Sequence, residues 1–188
     1  MRLFKIFRKL KADTSANEGT LFYHEDDYCQ VELSPKENLP LFQKESEEIT
    51  DLAGKSFDGY GYTDIYVRND NRVELRERKI NPGELEQIIS EMGLNKATKV
   101  VTGYGETYRQ ALKDTVGFGG NYSAVYFDFR GNVVNHIWFT DPFGIETQRL
   151  TQCLLDIGER WSLLLMDWNQ TLLVDLSKKN EIEKYLIR

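Results

Sequence analysis

Polar and apolar side chains alternate along Tyr28-Cys29-Gln30-Val31-Glu32-Leu33, the period of a strand with one covered face. Cys29, Val31 and Leu33 are therefore expected to point inward. Leu21-Phe22-Tyr23 reads as a short strand before it, with the acidic run Glu25-Asp26-Asp27 as the turn between the two. A helix is predicted over residues 36–53, and Pro40 delays its true start to residue 39 or 40.

From there one plan recurs three times, a strand pair followed by a helix. Residues 62–68 and 72–78 are the first pair, around the turn Asn69-Asp70-Asn71. Asn81 then caps a helix with Pro82 at its first position, and Leu85, Ile88, Ile89 and Met92 share a face. Residues 122–129 and 133–139 flank Arg130-Gly131-Asn132, a strong hairpin signal, before a helix over 143–160 with Leu150, Leu154, Ile157 and Trp161 on its apolar stripe. Residues 162–168 and 171–176 flank Asn169-Gln170, and Ser177 caps a closing helix that packs Ile182, Tyr185 and Leu186 inward. Between the first two units a strand is expected near 99–102 and a helix near 107–114. The whole predicts an α+β fold, mainly antiparallel sheet built from strand pairs, with helices covering one side.

Residues 1–19 separate from this body. Leu3, Phe4, Ile6, Phe7 and Leu10 recur at helical spacing opposite Lys5, Arg8, Lys9 and Lys11, a basic amphipathic segment followed by a polar tether. Docking on an acidic body and contact with an anionic membrane face are both open readings for it. Residues 20–188 are expected to form a single domain, with lobes at 20–98 and 99–188 as the alternative. No apolar run is long enough to cross a bilayer, and charges interrupt any secretory signal, so a cytoplasmic location is expected.

Charge sharpens the functional picture. The chain carries 24 basic and 30 acidic side chains, but five of the basic ones lie in its first eleven residues. The remaining body has a net charge of −11, which repels phosphate backbones and attracts a basic partner. Nucleic-acid binding is thereby disfavoured. The two cysteines, Cys29 and Cys153, sit in apolar surroundings and read as buried, reduced thiols rather than a disulfide framework.

The places where chemistry would be sought do not complete a pattern. His24 beside Glu25, Asp26 and Asp27 lacks the convergence that a metal site needs, since adjacent residues rarely face one centre. Asp58-Gly59-Tyr60-Gly61-Tyr62-Thr63-Asp64 is rich in glycine but lacks the lysine and the following helix of a phosphate loop. No cysteine with His24 or His136 carries a nucleophile's local signature. No catalytic residue, metal ligand or cofactor is expected. Tyr60, Tyr62, Tyr104, Tyr108, Phe118 and Tyr122 instead suggest an aromatic rim on loops, with core packing as the equal alternative.

Residues 23–33, then Gly59-Tyr60-Gly61-Tyr62-Thr63-Asp64-Ile65-Tyr66-Val67-Arg68, resemble small bacterial proteins found beside polymorphic toxins. Leu165-Met166-Asp167-Trp168-Asn169, Val174-Asp175-Leu176 and the helix to Tyr185-Leu186 are similar to the ending of such proteins. The resemblance implies an immunity protein that binds and blocks a partner toxin, and it carries over no catalytic residue. The expected contact residues are Glu25, Asp26, Asp27, Asp58, Tyr60 and Asp64, which combine charge and aromatic area in turns. A regulatory or scaffold protein, or a small hydrolase, is the alternative reading.

Overall fold

A computed structural model describes residues 19–61, 63–105, 108–120 and 122–187. The basic segment anticipated at the start lies outside these, except for Gly19. The described residues form four α-helices and nine strands in two sheets, an α+β fold in which all strand pairs but one are antiparallel.

The larger sheet has six strands. Thr115–Gly119 (β5) pairs with Ala124–Arg130 (β6), which pairs with Val133–Thr140 (β7); Val31–Pro35 (β2) lies between β7 and Leu163–Asp167 (β8), and Leu172–Asp175 (β9) closes the far edge. The smaller sheet joins Thr20–His24 (β1), Lys99–Tyr104 (β3) and Tyr108–Leu112 (β4). Its β1–β3 pairing is parallel, with Leu21 opposite Val100 and Tyr23 opposite Thr102.

The β6–β7 hairpin turns where Arg130-Gly131-Asn132 predicts it, with Gly131 at φ 63° supplying the left-handed backbone. Asn81 caps Pro82–Ser90 (α2) by accepting hydrogen bonds from the backbone N–H groups of Gly83 (2.9 Å) and Glu84 (3.3 Å). Leu39–Ser56 (α1) begins where Pro40 requires. Thr147–Trp161 (α3) starts later than the sequence suggests, after a 3-10 turn at Pro142–Gly144, because the Glu146 carboxylate caps it at Gln148 and Arg149 (3.0 Å each).

Several expectations are corrected. Residues 62–78 do not form a strand pair: the described part of 62–74 is extended or turned but unpaired, and Leu75–Arg78 is a 3-10 helix. The helix expected near 107–114 is β4, held antiparallel to β3 with Val101 opposite Ala111. Ser177 does not cap Lys179–Leu186 (α4); its hydroxyl donates to Asp175 Oδ1 at 2.7 Å.

Helices cover both faces of the large sheet rather than one. Leu163 and Leu165 of β8 join Val31, Leu33, Phe127 and Ile137 against Leu85, Ile89, Leu154, Ile157 and Ile182 of α2, α3 and α4. Leu164 and Met166, on the other face, pack with Trp168 against Phe42 of α1. A strand buried on both faces has no polar side to alternate with, hence the run Leu163-Leu164-Leu165-Met166. The small sheet covers the remainder of that second face, where Leu21, Tyr23 and Val100 meet Tyr126 and Trp138.

At the β9 edge, Lys36 Nζ donates to both carboxylate oxygens of Asp175 (2.9 and 3.0 Å). Burial raises the Asp175 pKa, but hydrogen bonds from Lys36 and Ser177 outweigh it and hold the group down at about 2. A carboxylate depressed in the folded state stabilises above its unfolded pKa, about 4, and loses that contribution as pH falls towards 2. Asp175→Asn is therefore expected to lower the melting temperature at neutral pH. The gap to the parent should close between about pH 4 and pH 2, as followed by thermal melts across that window.

Candidate functional site

Three of the six anticipated contact residues lie on a 3-10 turn at Glu25–Asp27, directly after β1. The His24 ring accepts a hydrogen bond from the backbone N–H of Asp26 at 3.3 Å, so its Nδ1 caps the turn. Asp26 and Asp27 are exposed, while Glu25 is half-buried, and its carboxylate near the Tyr104 hydroxyl raises the Tyr104 pKa. Tyr104 also stacks edge-on against His24 with centroids 5.0 Å apart, and it pairs across the β3–β4 hairpin with Tyr108. The small sheet thus brings the acidic turn and two exposed tyrosines of the anticipated rim to one end. Tyr122 is exposed as well, but Phe118 is a core residue, and Tyr62 lies outside the described residues.

The other three, Asp58, Tyr60 and Asp64, fall on the segment after α1. The Asp58 carboxylate accepts the backbone N–H groups of Tyr60 and Gly61, both at 2.9 Å, which hold its carboxyl below the usual range. Asp64 accepts from the Ser56 hydroxyl at 3.1 Å. Both carboxylates therefore shape the turn as well as charge it. Among the described residues no hydrogen bond or ion pair joins this group to Glu25, Asp26 or Asp27.

Beyond Asp64 the chain departs from the expected strand. Side chains alternate along 65–68: Tyr66 and Arg68 turn towards the body, and Ile65 and Val67 turn away. The Tyr66 hydroxyl donates to Glu48 on α1 at 2.6 Å. Arg68 donates to the Cys29 carbonyl at 3.3 Å and lies over the Trp168 ring at 4.9 Å. Ile65 and Val67 are left 90% and 84% exposed, and Tyr60 is fully exposed. Among the described residues the backbone N–H groups of 65–68 have no hydrogen-bond acceptor.

This segment is held by buried polar side chains that pattern reading treats as a solvated strand face. Glu45 of α1, itself buried, accepts the N–H of Asn69 at 2.6 Å. The Asn38 side chain clasps the backbone of Val73 from both sides, donating to its carbonyl and accepting its N–H at 2.8 Å each. Glu32 of β2, 5% exposed at its side chain, accepts from Arg72 (3.0 Å) and Trp168 Nε1 (2.8 Å), with Arg68 3.6 Å away.

Beside Glu32 on the same sheet face, Asp128 of β6 and His136 of β7 are cross-strand partners with His136 Nδ1 3.0 Å from the carboxylate. The Tyr28 hydroxyl meets both, at 2.9 Å from Asp128 and 2.8 Å from His136 Nδ1. Burial, the neighbouring Cys29 and Asp128 push the Tyr28 pKa up, so Tyr28 stays protonated and donates to the carboxylate. Glu32, Asp128 and His136 thus make a polar strip between two apolar clusters. The strip is visible only in three dimensions; its nearest sequence signal is the interruption of apolar strands by a charged residue at an inward position.

Burial pushes both cysteine thiols up, Cys153 to about 12, which keeps them protonated at neutral pH. No three His, Cys, Asp or Glu side chains converge as a metal centre among the described residues. No described helix is long and apolar enough to cross a membrane. Comparison of the chain with protein-family models, with curated proteins and with solved structures returned no match.

Proposed function

We propose that the protein is a binding module that captures a basic protein partner through the segment 58–67, flanked by carboxylates, and inhibits that partner in the manner of an immunity protein. One observation carries the reading: Tyr60, Ile65 and Val67 are almost wholly exposed on a segment anchored at several buried points. Leaving such side chains in water forgoes about 25 cal/mol per Å² of apolar surface, which a partner recovers on docking. The unpaired backbone of 65–68 offers an edge for strand addition, with Ile65 and Val67 filling alternate pockets. Asp58 and Asp64 beside it, and the body charge of −11, supply complementarity to a cationic surface. The toxin assignment rests on the sequence resemblance, and the binding mode rests on the exposed segment.

The test is co-expression with the product of the adjoining gene. The two proteins are expected to co-purify. Ile65→Asp with Val67→Asp should weaken association by about 100-fold, as paired losses at a buried interface anchor do, without lowering the melting temperature. Parent-like affinity in that variant would remove the segment from the interface.

Charge reversal of Glu25, Asp26 and Asp27 to lysine is expected to act differently. It should slow association about tenfold at low salt and flatten the salt dependence, because solvated carboxylates steer more than they hold. Stopped-flow association rates at two ionic strengths decide it, and rates unchanged at both would exclude the turn from the contact.

A further inference from the structure

We infer a second binding site, separate from the exposed segment: a cleft on the polar strip that takes a small phosphate monoester whose remainder carries hydroxyl groups. The cleft, about 430 Å³, is lined by Glu32, Ser34 and His136 from the sheet, and by Asp70, Arg72, Glu74 and Arg76 from residues 70–76. It shares Arg76, Arg130 and Asn135 with an adjoining groove of about 560 Å³. That groove adds Lys79, Asn132 and Val133, and no carboxylate lines it.

Such a groove is an anomaly on a body of charge −11. Arg76 pairs with Glu74, but Lys79 and Arg130 have no ion-pair partner among the described residues. Their positions follow from local structure. Lys79 stands at φ 53°, a left-handed turn that ends the 3-10 helix with its N–H bonded to the Arg76 carbonyl (3.0 Å). Arg130 comes from the end of β6, across the groove. The Asn132 side-chain oxygen accepts from Asn81 at 2.9 Å, which leaves its amide N–H groups to donate, and the Asn135 amide has no partner among the described residues. With Arg76 held by Glu74, the Arg130 guanidinium, the Lys79 ammonium and the Asn132 and Asn135 amides are the donors left to match a phosphoryl group, for which arginine offers paired N–H donors.

The inner cleft has the opposite character. Three carboxylates line it, and since Glu32 is bound by Arg72 and Glu74 by Arg76, Asp70 is the acceptor left for a ligand's hydroxyl groups, so this half suits donors rather than a second anion. His136 lines the inner cleft, next to Asn135, which both halves share. Its Nδ1 is engaged by Asp128 and Tyr28, and Nε2 has no partner among the described residues. A phosphoryl group in the outer groove with hydroxyls in the inner cleft satisfies both halves. A nucleic-acid strand does not, because its further phosphates would be repelled by a body of charge −11.

The full chain titrated with ribose 5-phosphate, with amide and imidazole resonances followed by NMR, tests this. Saturable shifts are expected at residues 76–79, 130–136 and the His136 ring, weaker with inorganic phosphate and absent with ribose. Arg130→Gln should weaken binding about tenfold, the loss of one charge-assisted pair. Lys79→Gly should do the same while preserving the fold, because glycine adopts the left-handed backbone without strain. Shifts that fail to saturate, shifts that sodium chloride reproduces at matched ionic strength, or affinity unchanged in both variants would overturn the site. Inorganic phosphate binding as tightly as ribose 5-phosphate would overturn its hydroxyl-binding half.

Discussion

Replacing Gly158 with alanine is expected to destabilise the protein by about 3 kcal/mol, the cost of forcing atoms into a filled core. The sign is not obvious, because Gly158 lies inside α3 and alanine favours a helix by about 1 kcal/mol. Packing decides it. A Cβ at 158 would overlap the Leu176 side chain and come within 2.7 Å of that residue's carbonyl oxygen and 2.8 Å of its carbonyl carbon. Two of the three obstacles are backbone atoms, which no rotamer change can move, and Leu176 is itself fully buried. The helix would have to back away from the chain after β9 and open the layer that holds Ile157 and Ile182. Urea denaturation checks the outcome: the midpoint should fall with little change in slope. A variant as stable as the parent would show that α3 and Leu176 are not in close contact.

The second large effect concerns Glu32. Removing one partner of a buried charge cluster costs about 3–5 kcal/mol, and Glu32→Ala should lie at the low end because Arg68 and Arg72 are each about a third exposed. Water can reach the two guanidinium groups, but the Trp168 indole N–H loses its acceptor in a covered site. Glu32→Gln keeps an acceptor and should cost less. The consequence reaches the exposed segment. Arg68 and Arg72 tie it to β2, so exchange of the hydrogen-bonded amides of Asn69, Arg72 and Val73 should accelerate in Glu32→Ala beyond what global destabilisation produces. If exchange rises uniformly along the chain instead, Glu32 stabilises the core without positioning that segment.

Where local signals and tertiary demands agree, the fold is legible in the sequence. The β6–β7 hairpin needs a left-handed turn and has Gly131 there; α2 needs an N-terminal acceptor and has Asn81. Residues 107–114 depart from expectation for the opposite reason. Gln110, Ala111 and Leu112 favour a helix locally, but pairing with β3 overrides that preference. The alternation in 65–68 is real, yet period two reports an extended chain, not a paired one. Side chains from α1 and β2 replace the missing ladder: Glu48, Glu45 and Glu32. No spacing rule exposes such a long-range clasp. The parallel β1–β3 contact is hidden likewise, since the two strands lie far apart in sequence.

The candidate surface is legible in part for similar reasons. Acidic and tyrosine residues in predicted turns do reach the surface, but Asp58 and Asp64 also accept local hydrogen bonds, a role composition does not reveal. Ile65 and Val67 read as strand residues, for which one covered face is expected. Their exposure arises because no described residue packs over them. Phe118, grouped with the rim because glycines surround it, faces inward from β5.

The position of β2 at the centre of the six-stranded sheet has a consequence for the chain as it leaves the ribosome. Its two neighbours are β7 and β8, so Val31 and Leu33 emerge long before the strands that will flank them are synthesised. Until β8 appears, the nascent polypeptide cannot complete its large sheet, and these early apolar residues are open to holdase chaperones. Productive folding is thus a late event in translation, and slowing elongation upstream of β8 would lengthen the vulnerable interval.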